Sequence, residues 1–282
     1  MRLHSSSRNA NAVPASDAPK RDVDFGRRCG HPARVGRFAG AGAGERDERS
    51  GLDNRSRSAT REPIFDLPGV LVGLVGLLLA VHVLRSFLSL ESDDEVLLLF
   101  AFIPARYLPI IDWPIYPGGW GAVVWTFVSH AVLHGGWAHL LFNSAMLAAV
   151  GRPVALRLGA LRFLVLVLTS AVGGAMAHLV FEWGSQAPMI GASGVVFGVF
   201  GAALRFIFVP AWQPLPSIRS ALRLPRVQRF ILALVAMNLL LVVVGTAPFG
   251  GDGEGTVAWA AHLGGFLVGF FAYEKFERPW RS

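Results

Sequence analysis

Charge is what this sequence has least of. Only 16% of its 282 residues are Asp, Glu, Lys or Arg, against 53% hydrophobic. A soluble domain carries about a quarter charged residues, so an ordinary soluble fold is excluded. There is one cysteine, Cys29, which excludes an intramolecular disulfide. The first sixty residues lack the apolar run of a secretory signal peptide. They also lack the large apolar residues that would offset ordering entropy. No internal repeat is visible, which argues against a small transporter built from matched halves. The apolar stretches hold no cysteine and few carboxylates, too few ligands for a metal site.

What the chain does contain is long hydrophobic segments. Six follow the polar start, at about 67–90, 123–150, 161–180, 190–209, 230–245 and 257–276. Each is long enough, or nearly so, to cross a hydrocarbon core of about 30 Å as a helix. Residues 1–62, rich in Arg, Ser, Gly and Asp, read as a disordered basic cytosolic tail. The connectors divide by charge. Arg152, Arg157, Arg162, Arg205, Arg219, Arg223, Arg226, Arg229, Lys275, Arg278 and Arg281 fall on one side. Glu91, Asp93, Asp94, Glu95, Asp112, Glu182, Asp252 and Glu254 fall on the other, with Arg106 the exception. The positive-inside rule then puts both termini in the cytosol and runs spans two, four and six from outside to inside. The net charge of +7 sits in the tail and connectors rather than on one face, so it reflects topology and not nucleic-acid binding. The long outer connector, 91–122, carries Pro104, Pro109, Pro114, Pro117, Trp113 and Trp120. It reads as a substructure in the outer headgroup region.

Polar groups inside a membrane are costly and mark function by default. Three groups stand out. Gly191-Ala192-Ser193-Gly194 opens the fourth segment, where helix-start N–H groups lack intrahelical partners. A serine there offers both a hydroxyl and an N–H for an oxyanion, although alone the motif reads more readily as a packing seam. Ala261-His262-Leu263-Gly264-Gly265, with Gly269, puts a histidine beside a small-xxx-small face. His134-Gly135-Gly136-Trp137-Ala138-His139, followed by Asn143, places His139 and Asn143 on one helical face as N–H donors. His134 and, one turn earlier, His130 lie toward the outer end. His178 and Asn238 read as interhelical hydrogen-bonders, and His82 and Arg85 as snorkelling outer-end residues.

Depth links the three groups. At 1.5 Å per residue, Ser193 lies about 18 Å from Arg205 and His262 about 20 Å from Lys275. His139 and Asn143 lie about 20 Å and 14 Å from Arg152. All four occupy one layer below the outer surface.

These motifs together resemble the rhomboid family of intramembrane serine proteases, over about residues 67–276. The resemblance implies an all-α, polytopic, six-transmembrane-helix bundle over residues 63–282. It implies a Ser193 nucleophile and a His262 general base and acid, with no aspartate as third member. His139, Asn143 and the Ser193 N–H would form the oxyanion hole, supported by Gly191, Gly194, His134, Phe197, Gly265 and Gly269. No metal or cofactor is needed, and the substrates would be single-span membrane proteins with locally unwound helices. The Arg-, Ala- and Gly-rich usage points to a bacterial plasma membrane. Two departures are visible. Trp125-Thr126 stands where many relatives have Trp-Arg, and Phe197 stands where the family often has another aromatic on the histidine ring. An inactive rhomboid-like protein that binds membrane helices is the alternative reading.

Overall fold

The computed structural model describes residues 67–108, 116–210, 213–244 and 258–277. Residues 1–62, Cys29 among them, and Trp113 of the outer connector fall outside these. The described residues are mostly helical: α1 Gly69–Arg85, α2 Leu90–Phe100, α3 Gly119–Ser129, α4 Trp137–Leu158, α5 Ala160–Phe181, α6 Ser193–Leu204, α7 Ile218–Arg223, α8 Pro225–Val244 and α9 Trp259–Phe276. The only strand-like pairing among them is an isolated bridge between Phe102 and Met189. One helix, Ala160–Phe181, is long and apolar enough to cross a membrane by length and composition alone. Gly69–Arg85 and Ser193–Leu204 are shorter apolar helices.

The second apolar segment is not one helix from 123 to 150. Its first part is α3, followed by a 3-10 turn His130–Val132. The chain then runs extended through Gly136 before α4 starts at Trp137 and continues to Leu158. Two glycines in succession, with no side chain to cap or pack, end helical continuity there. His139 therefore stands in the first turn of α4 and Asn143 in its second.

Helix direction follows from the contacts between elements. Gly194 faces Ala261, Gly198 faces Gly265, and Gly201 faces Phe266 and Gly269, so α6 and α9 run parallel. Gly173 faces Val268 while Gly174 faces Ala261, which sets α5 antiparallel to α9. At the far end, Arg157 of α4 pairs with Glu277. Its guanidinium lies 4.7 Å from the centroid of the Phe206 ring. The fully buried Arg205, just past α6, pairs with Glu274 and donates to the Phe270 carbonyl at 2.9 Å. Both terminal guanidinium nitrogens are used, to the Phe270 and Pro216 carbonyls and to Glu274, which offsets the cost of burial. Three parallel helices are thereby tied together at their C-terminal ends, with their N-terminal ends meeting at the other.

Glycine makes the α6–α9 seam close. A methyl on Gly265 would overlap the Gly194 carbonyl, and one on Gly269 would overlap the Gly198 carbonyl. Around the seam lies the main core, which includes Leu71, Leu140, Leu147, Phe163, Leu166, Val195, Val199 and Tyr273. Other faces turn large apolar side chains outward: Leu84 on α1, Leu161 and Val180 on α5, Leu232, Leu239 and Val243 on α8. Such surface belongs against lipid or protein rather than water.

The described residues of the 91–122 connector form a folded, largely helical structure. Ser89 caps α2, its hydroxyl accepting from the Ser92 N–H, and Glu91 and Asp93 favour the positive end of the helix. Arg106, the exception in the charge pattern, is turned inward. It donates to the Pro117 carbonyl at 2.9 Å and to the Leu98 carbonyl, and lies over the Tyr116 ring. This arginine thus pins the connector from a different point in the chain than the Trp125-Thr126 position. Thr126 is buried, donates to Ala122 O at 2.6 Å and meets the Tyr107 hydroxyl at 3.1 Å. Burial pushes the Tyr107 phenol above its ordinary range, which keeps it a donor to Val123 O. Backbone bonds between Phe102 and Met189, and from Ala105 to Ser185, strap the connector to the segment leading into Ser193.

Candidate active site

Ser193 is the first residue of α6, and no side chain caps that helix start. The turn before it holds Gly191 at φ 116°, a left-handed conformation that glycine adopts without Cβ strain. Two histidines hold this turn. The His130 carbonyl accepts from the Gly191 N–H at 3.0 Å. His134 Nε2 accepts from the Ala192 N–H at 3.4 Å. His130 is itself fixed by a 2.9 Å contact between Nδ1 and the Thr126 carbonyl. Both histidines thus shape the backbone around the serine.

His139 and Asn143 lie against the same turn. A methyl on Gly191 would sit 2.8 Å from His139 Cε1 and Nε2 and 3.8 Å from Asn143 Nδ2. Only glycine leaves room for the imidazole there. The Asn143 amide nitrogen is buried with no hydrogen-bond partner. An unpaired buried donor is costly in a resting protein and suits a group that acquires its partner during reaction. The His134 and His139 rings meet edge to face at 5.0 Å.

His262 comes from the first turn of α9 and is buried. Its ring stacks on Phe197, with centroids 4.3 Å apart and planes within 2°. Phe197 is one turn along α6 from Ser193, so both project from the same face of that helix. On α9, Ala261 packs its carbonyl against Gly194: a methyl on that glycine would lie 3.3 Å from it. The serine, the imidazole and the two donors therefore converge on the N-terminal ends of three parallel helices. Gly265 and Gly269 act at the seam below.

The remaining polar residues follow their sequence reading only in part. Arg85 does not simply snorkel: it forms a paired contact with Asp93 at 2.7 and 2.8 Å and donates to the His134 carbonyl at 2.9 Å. His178 leaves Nδ1 without a partner and instead sits edge-on to Phe102. His82 packs edge-on to Trp137. Asn238 does form an interhelical bond, to His262 Nδ1 at 2.7 Å. Its sequence context, an amide in an apolar helix, signalled a bond but not the partner. Among the described residues no three His, Cys, Asp or Glu side chains are grouped to hold a metal ion.

Comparison with known proteins gives a consistent result. The family profile described as "Rhomboid domain" matches residues 121–276. The chain is 31% identical over 155 residues to "Rhomboid protease GluP" of Bacillus subtilis, covering 55% of this chain and 26% of that protein. It is 30% identical over 185 residues to "RHOMBOID-like protein 5" of Arabidopsis thaliana, covering 65% and 53%. Against "Putative rhomboid protease YdcA" of Bacillus subtilis, identity is 28% over 211 residues, covering 70% and 92%. The chain thus spans a quarter to about half of the first two relatives and nearly all of the third.

Proposed function

We propose, from the premise that this chain belongs to the rhomboid family, that it is an intramembrane serine endopeptidase working through Ser193 and His262. The observation that carries this reading is the stacking of the His262 ring on Phe197, one turn from Ser193 on the same helix. Neutral His262 takes the Ser193 proton as Oγ attacks the scissile carbonyl. His139, Asn143 and the Ser193 N–H stabilise the tetrahedral oxyanion. The histidine then returns the proton to the leaving amine, and water cleaves the acyl-enzyme. The substrate is a membrane protein whose transmembrane segment unwinds near the cut, since a helical backbone shields its carbonyls.

In this reading residues 63–282 form one multi-pass protease domain of six spans. Both termini face the cytosol of a bacterial cell. The three parallel helices and their shared C-terminal ion pairs support that layout. The alternative, an inactive family member that only binds membrane helices, keeps the fold without needing a reactive serine. A fluorophosphonate reagent discriminates between them. Covalent labelling at Ser193 in the folded protein, absent after boiling, is the expected outcome. An unlabelled Ser193 in protein that is folded and accessible favours the binder.

The oxyanion assignment has its own test. Asn143→Ala should lower kcat on a model transmembrane substrate by about a hundred- to a thousandfold, the usual effect of removing one oxyanion donor, about 2.7–4 kcal/mol. Thermal unfolding should change little, and serine labelling should slow, since the phosphonyl oxygen uses the same donors. A loss as large as that from removing the nucleophile would mean that Asn143 does something other than donate.

A further inference from the structure

Asn238 lies on α8, whose neighbouring Leu239, Leu240 and Val243 are exposed. It reaches across to α9, where its Oδ1 stands 2.7 Å from His262 Nδ1, from a position 24 residues earlier in the chain. We propose that Asn238 is the positioning residue for His262. It accepts a hydrogen bond from Nδ1–H and so holds the imidazole in the tautomer whose Nε2 lone pair is free for Ser193. The proposal rests on the reading of Ser193 and His262 as a catalytic pair, and it adds a third member to that pair.

A stacked aromatic cannot supply this control. The Phe197 ring fixes the plane of the imidazole, parallel to within 2°. A half-turn of the imidazole about its Cβ–Cγ bond keeps that plane while exchanging its two edges. Stacking is therefore indifferent to which edge faces the serine, and to which nitrogen bears the proton. A neutral imidazole has one N–H and one lone pair. An acceptor at Nδ1 settles both choices at once, because the proton must stay there to be shared. Were the amide reversed, its NH2 would donate to Nδ1, the proton would move to Nε2, and no base would face the hydroxyl.

The residue type fits its surroundings. A carboxylate would bring a buried negative charge to an apolar helix, at a high cost in hydrocarbon. A primary amide supplies the same acceptor without a charge. It gives orientation and tautomer choice, and less stabilisation of the imidazolium that forms as Ser193 loses its proton. The role is that of the third group that orients the base in other nucleophile–histidine enzymes. It differs from a purely structural tie between α8 and α9, which would strengthen the bundle without affecting which nitrogen is protonated.

The test uses the full-length protein in lipid vesicles, with 15N-labelled histidine. The His262 signal is identified by its loss in His262→Gln. In the Ser193→Ala background, which stops turnover, His262 should carry its proton on Nδ1. Asn238→Leu should shift the ring to the Nε2–H form or a mixture, and Asn238→Asp should restore the Nδ1–H form. In the active protein, Asn238→Leu should lower kcat on the order of ten- to a hundredfold, the scale of a hydrogen bond to a group that becomes charged. KM should be unchanged, and Asn238→Asp should recover most of the rate. A wild-type His262 protonated on Nε2 overturns the proposal. So does an Asn238→Leu protein with unchanged tautomer and kcat, even if it unfolds at a lower temperature. Failure of the wild-type protein to cleave or to label Ser193 would instead defeat the protease reading. The tautomer measured in the Ser193→Ala protein still decides the role of Asn238.

Discussion

Ser193→Ala is expected to abolish cleavage of a transmembrane substrate, a fall of about six orders of magnitude in kcat when a catalytic serine is removed from a working constellation. The change deletes one oxygen atom from a residue at the start of α6, and the smaller side chain is compatible with that helix. Expression, insertion and thermal unfolding should therefore match the wild type. His262→Ala should cost a similar amount, and the double variant little more than either single one. Residues that act as a unit lose their shared function with the first deletion. Comparing the membrane-protein fragments released by wild type and by Ser193→Ala would also identify substrates. A Ser193→Ala protein that still releases fragments at a rate near wild type would remove the mechanism altogether.

Gly269→Val should be nearly as damaging, by a different route. Gly269 lies about two turns beyond His262 on α9, and a side chain there would overlap the Gly198 carbonyl of α6. A backbone carbonyl cannot rotate away as a side chain does, so the helices must separate. Overpacking of this kind costs about 1–3 kcal/mol or more in stability. The larger effect should be on rate. The same seam holds Gly194 against Ala261, the neighbours of Ser193 and His262. A displacement of about 1 Å in reacting groups can cost on the order of a hundredfold. Cleavage and Ser193 labelling should fall together, with a lowered unfolding temperature. Gly76→Ala on α1 is the control. A methyl at Gly76 meets nothing within 4 Å, and alanine favours helix over glycine by about 1 kcal/mol. Wild-type cleavage by Gly269→Val would show that the close seam does not set the site geometry.

The two predictions rest on residues that the chain displays openly. Gly191–Gly194 and Ala261–Gly269 stand out because polar and small residues are rare signals in long apolar runs, and because their spacing matches a helical face. The resemblance implies an aromatic on the histidine ring four residues after Ser193, and the Phe197 and His262 rings lie parallel within 2°. The break at Gly135-Gly136 was harder to see, since hydrophobicity continues across it and average hydropathy does not register a turn. Arg106 was visible only as an exception to the charge pattern. Its partners are the carbonyls of Leu98 and Pro117, which have no side-chain signature.

From the sequence alone come the membrane character, the approximate positions of six apolar segments, and the identities of serine, histidines and asparagine suited to acyl chemistry. These depend on composition and on local periodicity, which a linear reading contains in full. Tertiary structure alone decided that α4, α6 and α9 meet at their N-terminal ends, that His134 and His130 hold the turn before Ser193, and that Asn238 is the residue on His262 Nδ1. The physical reason is that hydrogen bonds and van der Waals contacts act over a few ångströms. Which distant segments come within that range is set by how the whole bundle packs.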